Sequence, residues 1–329
     1  MRFGLFIPQG WRLDLTGIDP ADQWATMNGL AAHADSGETW ESIWVYDHFH
    51  TVPEPTTEAT HEAWTLMAAF AASTQRVRLG QMCTCMAYRN PAYLAKVAAT
   101  VDIISGGRTE MGIGAGWYEH EWLAYGYGFP GAGARLAALD EGVQIMKQAW
   151  DTGSATLAGT HYQVDGARVH PQPLQAGGIP FWIAGGGEKK TLRTAARYAQ
   201  YTNFDGTPEG FAHKSTVLES HCRDLGRDYA EITRSANYNV VIGSTDAEVQ
   251  DRLAWIDDHY RTTVPARADE TVEQFRTGPL VGTPEQLIEK LLELRALGMT
   301  YAITYFAEAA YDRSGIELFE REVAPALLG

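Results

Sequence analysis

A unit that repeats along the chain constrains its fold more than any other feature: a short apolar run, a break, and then a helical pattern. Strands that alternate with helices pair in parallel, because each crossover helix returns the chain to the same edge of the sheet. Eight units within 329 residues predict an α/β fold, most economically a closed (β/α)8 TIM barrel, with a doubly wound open sheet as the alternative. The eight apolar runs are Phe3 to Pro8, Ser42 to Tyr46, Val77 to Cys83, Thr109 to Ile113, Pro180 to Ala184, Gln200 to Phe204, Ala236 to Ile242 and Thr300 to Phe306.

Helices are expected between these runs, and two of them carry clear start signals. Asn90-Pro91 and Thr283-Pro284 each place a capping side chain before a proline at the first helical position. Two insertions interrupt the repeat: a β-hairpin within Asp151 to Leu174, after the fourth unit, and a loop or short helices within Thr262 to Pro279, before the last. No linker divides the chain, so residues 1–329 are predicted to form one domain. The predicted helices include Ala63 to Ser73, Pro91 to Ile104, Lys189 to Tyr198, Ala247 to His259 and Pro284 to Leu297.

Composition narrows the class of function. The formal net charge of −15 argues against nucleic acid or an anionic membrane surface as a partner. No apolar stretch approaches the roughly 20 residues of a membrane span, and Met1 to Pro8 is typical of a first strand rather than of a signal peptide. Three cysteines are too few for a disulfide framework. A cytoplasmic enzyme with a small-molecule substrate is the natural expectation.

In barrels of this kind the active site lies at the carboxyl ends of the strands. The residues that follow the apolar runs are therefore the candidates for function, and they are rich in polar residues and glycine. They are Gln9, Asp47 and His48, Gln81 to Cys85, Gly114 to Glu121, Gly185 to Glu188, Asn203 and Asp205, Asn237 and Asn239, and Tyr305 to Glu308.

Asp47 and His48, in the stretch YDHFH, stand side by side at the end of the second run. A histidine there can move protons or hydrogen-bond a cofactor ring, because its ordinary pKa is near neutrality. The alternative is a capped turn with a structural histidine. His50 and the later pair His61-Glu62 could add metal ligands, but the second histidine of a zincin motif is missing. No metal site is predicted.

Two further strand ends offer small or acidic residues. The stretch Gly80 to Pro91 has a Cys-x-Cys pair whose spacing does not fit a redox motif, but its small side chains would let a flat ring lie against the backbone. The stretch Met111 to Trp122 matches a dinucleotide fingerprint only in part, because its third glycine falls at the wrong spacing and it belongs to the fourth unit rather than the first. Glu119 or Glu121 in this stretch could act as a general acid, and solvated helix-start carboxylates are the alternative.

The sharpest signal for an anion is the run AGGGEKK, in which a strand enters three glycines and then a helix. Free backbone N–H groups and the positive end of a helix together form a phosphate nest. Glu188 stands where a Walker A loop would need lysine, so the loop is not of that type. Lys189, Lys190 and Arg193 add positive charge nearby. The alternative is a simple tight turn between strand and helix.

Taken together and in order, these stretches resemble the bacterial luciferase-like family, specifically its branch of deazaflavin-dependent oxidoreductases that use coenzyme F420. The resemblance covers residues 1 to about 305 and is specific as an ordered set. The matching pieces are FGLFIPQ, WVYDHF, RVRLGQMCT, YRNPAYLAKVAATVDIISGGR, GIGAGWYEHEW, AGGGEKKTLRTAARYAQ and GTPEQLIEKL.

The resemblance implies a (β/α)8 barrel with a flavin-like ring in its mouth and, commonly, a homodimer. It places Asp47 and His48 near the ring and the substrate, with His48, Glu119 and Glu121 as catalytic candidates. It implies a strand bulge, often with a cis peptide bond that does not involve proline, near Gln81 to Cys83. The remaining cofactor-binding candidates that it implies are Gln81, Met82, Cys83, Gly114, Gly116, Trp117, Gly185, Gly186, Gly187 and Glu188.

Three functions follow from this resemblance. The first is hydride transfer between coenzyme F420 and a small organic substrate. The second is oxygen activation by an FMN-dependent monooxygenase, which stays open because no extended basic tract matches a site for a polyglutamate tail. The third is cofactor binding without catalysis. The sequence does not give the substrate.

Overall fold

The computed structural model describes residues 1–328. Each of the eight apolar runs contains a strand, and four further strands are present. In chain order the strands are β1 Arg2–Phe6, β2 Trp40–Val45, β3 Arg78–Gln81, β4 Thr84–Cys85, β5 Met111–Gly114, β6 Ser154–Ala158, β7 Gln163–Arg168, β8 Phe181–Ala184, β9 Tyr201–Asn203, β10 Thr233–Ile242, β11 Leu280–Gly282 and β12 Tyr301–Tyr305.

Helices separate the strands, as the repeating pattern predicts. They are α1 Pro20–Ser36, α2 Ala63–Ser73, α3 Pro91–Ser105, α4 Glu119–Ala124, α5 Ala132–Thr152, α6 Thr191–Tyr198, α7 Pro208–Leu225, α8 Asp246–Thr263, α9 Ala268–Arg276, α10 Pro284–Ala296 and α11 Ser314–Leu318. Short 3₁₀ turns lie at Met86–Tyr88, Tyr229–Glu231, Pro265–Arg267 and Ala324–Ala326, and a π-turn at Phe319–Val323. In the part of the chain that the structure describes, no helix is both long and apolar enough to cross a membrane.

The chain divides into two compact units. We call the first the terminal unit, since it contains Met1–His61, Phe204–His213 and the chain from Arg234 onward. We call the second the central unit, which contains Glu62–Asn203 and Lys214–Thr233. The single domain expected for residues 1–329 stays a prediction.

Parallel strands form the centre of the terminal unit, in the order β2-β1-β12-β10-β11. Residue Phe6 of β1 is level with Trp44 of β2, and Asn239 of β10 is level with Tyr305 of β12. The carboxyl ends of these strands therefore reach a common edge. At the opposite edge, Phe3 packs edge-on against Phe319 with 5.2 Å between ring centroids.

The central unit repeats this plan with strands β9-β8-β5-β4, all of them parallel. Strand β3 is joined to the chain before β5 by a bridge between Leu79 and Thr109. The predicted hairpin is confirmed, since β6 and β7 pair in antiparallel fashion after α5. The short helices predicted before the last unit are also confirmed, at Pro265–Arg267 and α9.

Both helix start signals in the sequence are confirmed as N-terminal caps. The Asn90 side chain accepts hydrogen bonds from the backbone N–H groups of Ala92 and Tyr93, and the helix ends at Gly106 in the left-handed conformation. Thr283 forms a reciprocal capping box with Gln286 at the start of α10.

Three details differ from the sequence prediction. The run Val77 to Cys83 is not one strand, because the chain breaks after Gln81 and resumes as β4. Helix α6 begins at Thr191 and not at Lys189, and no side chain caps it. Strand β11 was not predicted, because three residues between helices give no periodic pattern of their own.

Candidate active site

A cavity of about 200 Å³ opens at the carboxyl edge of the strands in the terminal unit. Phe6 ends β1, Tyr46 follows β2 directly, Tyr238 lies in β10 and Tyr305 ends β12, so four aromatic rings line its wall. This is the edge at which the strand pattern predicts the functional residues. The cavity is lined by Phe6, Arg12, Tyr46, Asp205, Gly206, Thr207, Asn237, Tyr238, Asn239, Gln274, Gly278, Pro279 and Tyr305.

Arg12 supplies the positive charge of this cavity. It lies in the loop after β1, half-buried, and its guanidinium group stands 4.0 Å from the centroid of the Tyr305 ring. Its Nη1 donates a hydrogen bond to Oδ1 of Asn239 at 2.7 Å. A guanidinium fixed by a ring face and an amide presents its remaining N–H donors in a defined plane. Such a group suits a carbonyl, carboxylate or hydroxyl oxygen of a ligand.

A buried carboxyl and a tyrosine hydroxyl fix the loop behind Arg12. Asp14 is buried and accepts hydrogen bonds from the backbone N–H of Gly10 at 2.7 Å and from the hydroxyl of Tyr305 at 3.0 Å. Burial raises the pKa of the Asp14 carboxyl, although these hydrogen bonds act in the opposite direction. Burial also raises the pKa of Tyr305, and it raises the pKa of Tyr260 to about 12. The two tyrosines therefore keep their protons at neutral pH.

Gln9, one of the strand-end candidates, joins the backbone of Tyr46 to that of His61 through side-chain hydrogen bonds. Its Nε2 donates to the carbonyl oxygens of Tyr46 and His61, both at 2.8 Å, while its Oε1 accepts from the backbone N–H of Tyr46 at 2.5 Å. Tyr46 in turn stacks on Phe6, with 4.3 Å between ring centroids. The residue that precedes the Asp-His pair is thus held from two sides.

The Asp-His pair of the stretch YDHFH directly follows Tyr46 in the sequence. Asp47 is buried, and His48 is half-buried. The imidazole of His48 stacks flat on the indole of Trp11, with 4.2 Å between centroids and 3° between ring planes. This stack fixes the plane of the imidazole, and therefore the directions in which its two nitrogens point.

In the central unit, the break between β3 and β4 has the geometry that the family resemblance implies. The peptide bond between Met82 and Cys83 is cis. Gln81 is buried, and its Oε1 accepts a hydrogen bond from the Thr84 hydroxyl at 2.7 Å. Nε2 of Gln81 is also buried but makes no hydrogen bond to any residue that the structure describes. A buried amide donor without a partner suits a ligand with an acceptor atom.

The glycines after β5 are closely packed against other side chains. A Cβ at Gly114 would stand 2.7 Å from Sγ of Cys83, and one at Gly116 would stand 2.5 Å from Sγ of Cys85. Gly116 also has a φ of +76°. Packing alone thus requires glycine at both positions, and an approaching ligand is not needed to explain them.

The three remaining candidates of this stretch differ in their surroundings. Trp117 is 61% exposed. Glu119 is exposed beside the open face of α4, whereas Glu121 is fully buried and accepts a hydrogen bond from the Tyr88 hydroxyl at 3.0 Å. Of the two carboxylates, Glu121 is held in a structural contact, and Glu119 faces solvent.

Part of the glycine loop after β8 could serve as an anion nest, since two of its three glycine N–H groups are not used within the described part of the protein. Gly185 has a φ of +111°, and its N–H donates to the carbonyl of Asn203 at 2.8 Å, so this donor is used within the protein. The N–H groups of Gly186 and Gly187 make no hydrogen bond to any described residue. Two backbone donors thus remain for a ligand, and residues 188–190 separate them from the start of α6 at Thr191.

Helix α7 adds side chains to this loop that the sequence pattern did not reveal. Nζ of Lys214 pairs with Oε1 of Glu188 at 2.6 Å, and its Cε would be 3.3 Å from a Cβ at Gly186. Nε2 of His221 donates to the carbonyl of Glu188 at 2.7 Å. Glu188 is therefore neutralised by a lysine rather than left to repel an anion. The loop and the orphaned amide of Gln81 fit a phosphate-bearing cofactor with a polar ring.

Arg12, Tyr46 and Lys214 are the candidate functional residues that the sequence did not single out. Arg12 is separated by 227 positions from its partner Asn239, and Lys214 by 26 from Glu188. No local motif reports such distant pairs. The one available signal is the charged pair Arg12 and Asp14 in the loop after the first strand, where the fold places function.

Comparison with known proteins shows the family and the fold. The family model described as luciferase-like monooxygenase matches residues 1–301. Pyrimidine monooxygenase RutA of Stutzerimonas stutzeri is 27% identical over 293 residues, which cover 81% of this chain and 78% of that protein.

Two solved structures show the fold. An F420-dependent secondary alcohol dehydrogenase, in complex with an F420-acetone adduct, superposes with a TM-score of 0.80 at 20% identity, covering 100% of this chain and 99% of the other. A coenzyme F420-dependent tetrahydromethanopterin reductase from Methanopyrus kandleri superposes with a TM-score of 0.77 at 19% identity, covering 99% of each chain. The predicted α/β fold class, the luciferase-like (β/α)8 barrel, is confirmed. With a family model matched over nearly the whole chain, the protein belongs to the luciferase-like monooxygenase family, a family of oxidoreductases.

Proposed function

We propose that this chain transfers a hydride between coenzyme F420 and a small organic substrate. The observation that supports a phosphate-bearing cofactor is the glycine loop of the central unit, with two backbone N–H donors and Lys214 beside them. This set of donors suits a phosphate group, which F420 bears. The names of two similar structures, both F420-dependent enzymes, favour the deazaflavin over FMN.

Residues of the central unit are assigned to the cofactor. They are Gln81, Met82 and Cys83, with the loop Gly185 to Glu188. Asp47 and His48 belong to the terminal unit, and their place near the cofactor stays a prediction from the family resemblance. Coenzyme F420, when bound, supplies the hydride chemistry. The orphaned Nε2 of Gln81 is the donor we assign to a polar atom of its ring system.

The chain's own contribution is to orient the substrate and manage its proton. We assign to Arg12 and Asn239 the binding of a substrate oxygen, because they form one hydrogen-bonded pair on the cavity wall. We assign proton transfer to a ring nitrogen of His48, whose plane is fixed by Trp11. Glu119 and Glu121 remain weaker candidates for a general acid, because the first faces solvent and the second is bound to Tyr88.

An FMN-dependent monooxygenase is the second candidate. The family description and the pyrimidine monooxygenase relative favour it. The same loop would hold the FMN phosphate, so the geometry of the loop supports both cofactors equally. A protein that binds a cofactor without turnover is the third.

Fluorescence titration of the purified protein with F420 and with FMN separates these possibilities. We expect saturable F420 binding and a weaker response to FMN. Lys214→Ala should reduce F420 affinity about 10- to 150-fold, since a charge-assisted hydrogen bond contributes about 1.5–3 kcal/mol. Lys147→Ala, which removes a surface lysine paired with Asp151 in the same unit, is the matched control and should change nothing.

Tight FMN binding without F420 binding would overturn the assignment of the cofactor. Equal F420 affinity in the wild type and in Lys214→Ala would instead remove the glycine loop as the phosphate site. Binding of F420 without turnover, across a panel of alcohols, aldehydes and cyclic imides, would favour the non-catalytic alternative.

A further inference from the structure

The terminal unit has a second and larger cavity, of about 520 Å³, that shares no residue with the candidate active site. Side chains of α8, of α11 and of the segment after β12 line it. A cavity of this volume is within the range of sites for small organic ligands, about 300–1,000 Å³. Its role is not explained by the proposed hydride transfer.

One carboxylate oxygen in this cavity lacks a donor. Glu308 lines the cavity and is only 5% exposed. Its Oε1 accepts a hydrogen bond from Nη1 of Arg252 at 3.0 Å, but its Oε2 is buried and has no hydrogen-bond partner among the described residues. A buried carboxylate oxygen without a hydrogen-bond donor costs at least about 1–3 kcal/mol. We therefore expect a molecule other than the chain itself to supply the donor.

Arg252 is not that donor, because its other nitrogen is engaged. Nη2 of Arg252 donates to Oγ of Ser314 at 2.7 Å, and Nη1 also lies 3.5 Å from Oδ2 of Asp312. The remaining arginine of the lining, Arg321, binds Glu322 at 2.8 Å. Both guanidinium groups of the cavity are therefore occupied by carboxylates or hydroxyls of the protein.

The remaining lining selects the class of ligand. Five carboxylates and two guanidinium groups face the cavity, so its charge is negative. Trp255 and Leu318 supply apolar surface, and the indole face of tryptophan attracts cations. No group of three or more potential ligands in the described chain could hold a metal ion. The complementary ligand carries a positive charge, N–H donors and a short hydrocarbon chain.

We propose that this cavity binds an organic ammonium ion, with the ammonium group paired with the Glu308 carboxylate and the carbon chain packed against Trp255. The inference does not depend on the identity of the redox cofactor. It assigns a second small-molecule site to the terminal unit, distinct from the candidate active site.

Isothermal titration calorimetry with butane-1,4-diamine tests this assignment on the full chain. We expect saturable binding, no binding of butane-1,4-diol, which has the same shape without charge, and at least tenfold weaker diamine binding by Glu308→Gln. Glu289→Gln, which removes one exposed carboxylate of α10, changes the net charge equally and should leave the affinity unchanged. Potassium chloride at matched ionic strength controls for screening.

Three outcomes would overturn the proposal: no saturable heat into the millimolar range, equal affinity for the diol and the diamine, or equal affinity in the wild type and in folded Glu308→Gln. If circular dichroism shows that Glu308→Gln does not fold, Trp255→Ala decides. It should weaken diamine binding at least threefold, and unchanged affinity in that variant would reject the site.

Discussion

The cavity in the terminal unit that is lined by Arg12, here the Arg12 cavity, and the glycine loop of the central unit present different kinds of groups to a ligand. In the cavity, side chains hold one another, as Arg12 holds Asn239 and Asp14 holds Tyr305. In the loop, the donors are backbone N–H groups and a single lysine. Side chains locked by partners define one shape, whereas backbone donors bind any phosphate. We therefore expect changes in the cavity to affect turnover, and changes in the loop to affect affinity.

The largest effect is expected at His48, which follows β2 in the terminal unit but does not line the cavity itself. Replacing His48 with Ala should reduce turnover about 10³-fold, or about 4 kcal/mol, because a positioned proton donor or acceptor contributes about 10²–10⁴-fold. Affinity for F420 should change by less than about twofold, since the phosphate is assigned to the central unit. Steady-state kinetics and fluorescence titration measure the two quantities separately.

His48→Phe is the matched control for this experiment. The phenyl ring keeps an aromatic face against Trp11 but has no titratable nitrogen. We expect it to be as slow as His48→Ala and to be more stable. Wild-type turnover in either variant would remove His48 from the chemistry, and a parallel loss of affinity would show that the two regions are not separable.

The fold was predictable from sequence because strands and helices have local causes. Apolar runs such as Pro180 to Ala184 show no helical periodicity that would compete with a strand. Asn90, followed by proline, is a helix-capping residue and marks the start of α3. The break at Met82 and Cys83 was not predictable from periodicity, since the apolar pattern continues across it. The family resemblance supplied what the pattern did not.

The candidate site was predictable only in part, for a related reason. A strand end identifies Asp47 and His48, but the partners that give a side chain its role come from distant segments. Glu119 and Glu121 illustrate this limit. Two helical residues two positions apart point to nearly opposite faces, and the sequence does not tell which of them is buried beside Tyr88.

A smaller effect is expected when a glycine of the central unit is replaced. Gly116→Ala should cost about 2 kcal/mol more of the free energy of unfolding than Gly126→Ala. Both glycines have φ near +77°, but a Cβ at Gly116 meets Cys85 and Trp122, whereas none of the described atoms lies within 4 Å at Gly126. Urea denaturation of both variants measures the difference. Equal costs would contradict the packing role assigned to Gly116.

The smallest expected effect concerns the pH dependence of the Arg12 cavity, through Asp14. Burial raises the folded-state pKa of Asp14, so the folded protein keeps this proton to higher pH than the unfolded chain. Its contribution to stability is therefore greatest below the unfolded-state pKa of about 3.9 and is lost as pH rises through the folded-state pKa.

The variant Asp14→Asn has no carboxyl group at this position and does not titrate there. The wild type minus variant difference in unfolding free energy should thus decrease as pH is raised from about 4 to about 7, measured by urea denaturation at each pH. Since Glu308 titrates in both proteins, its own raised pKa cancels in this difference. A difference that stays constant or increases would mean that the hydrogen bonds from Gly10 and Tyr305, and not burial, dominate the titration of this carboxyl.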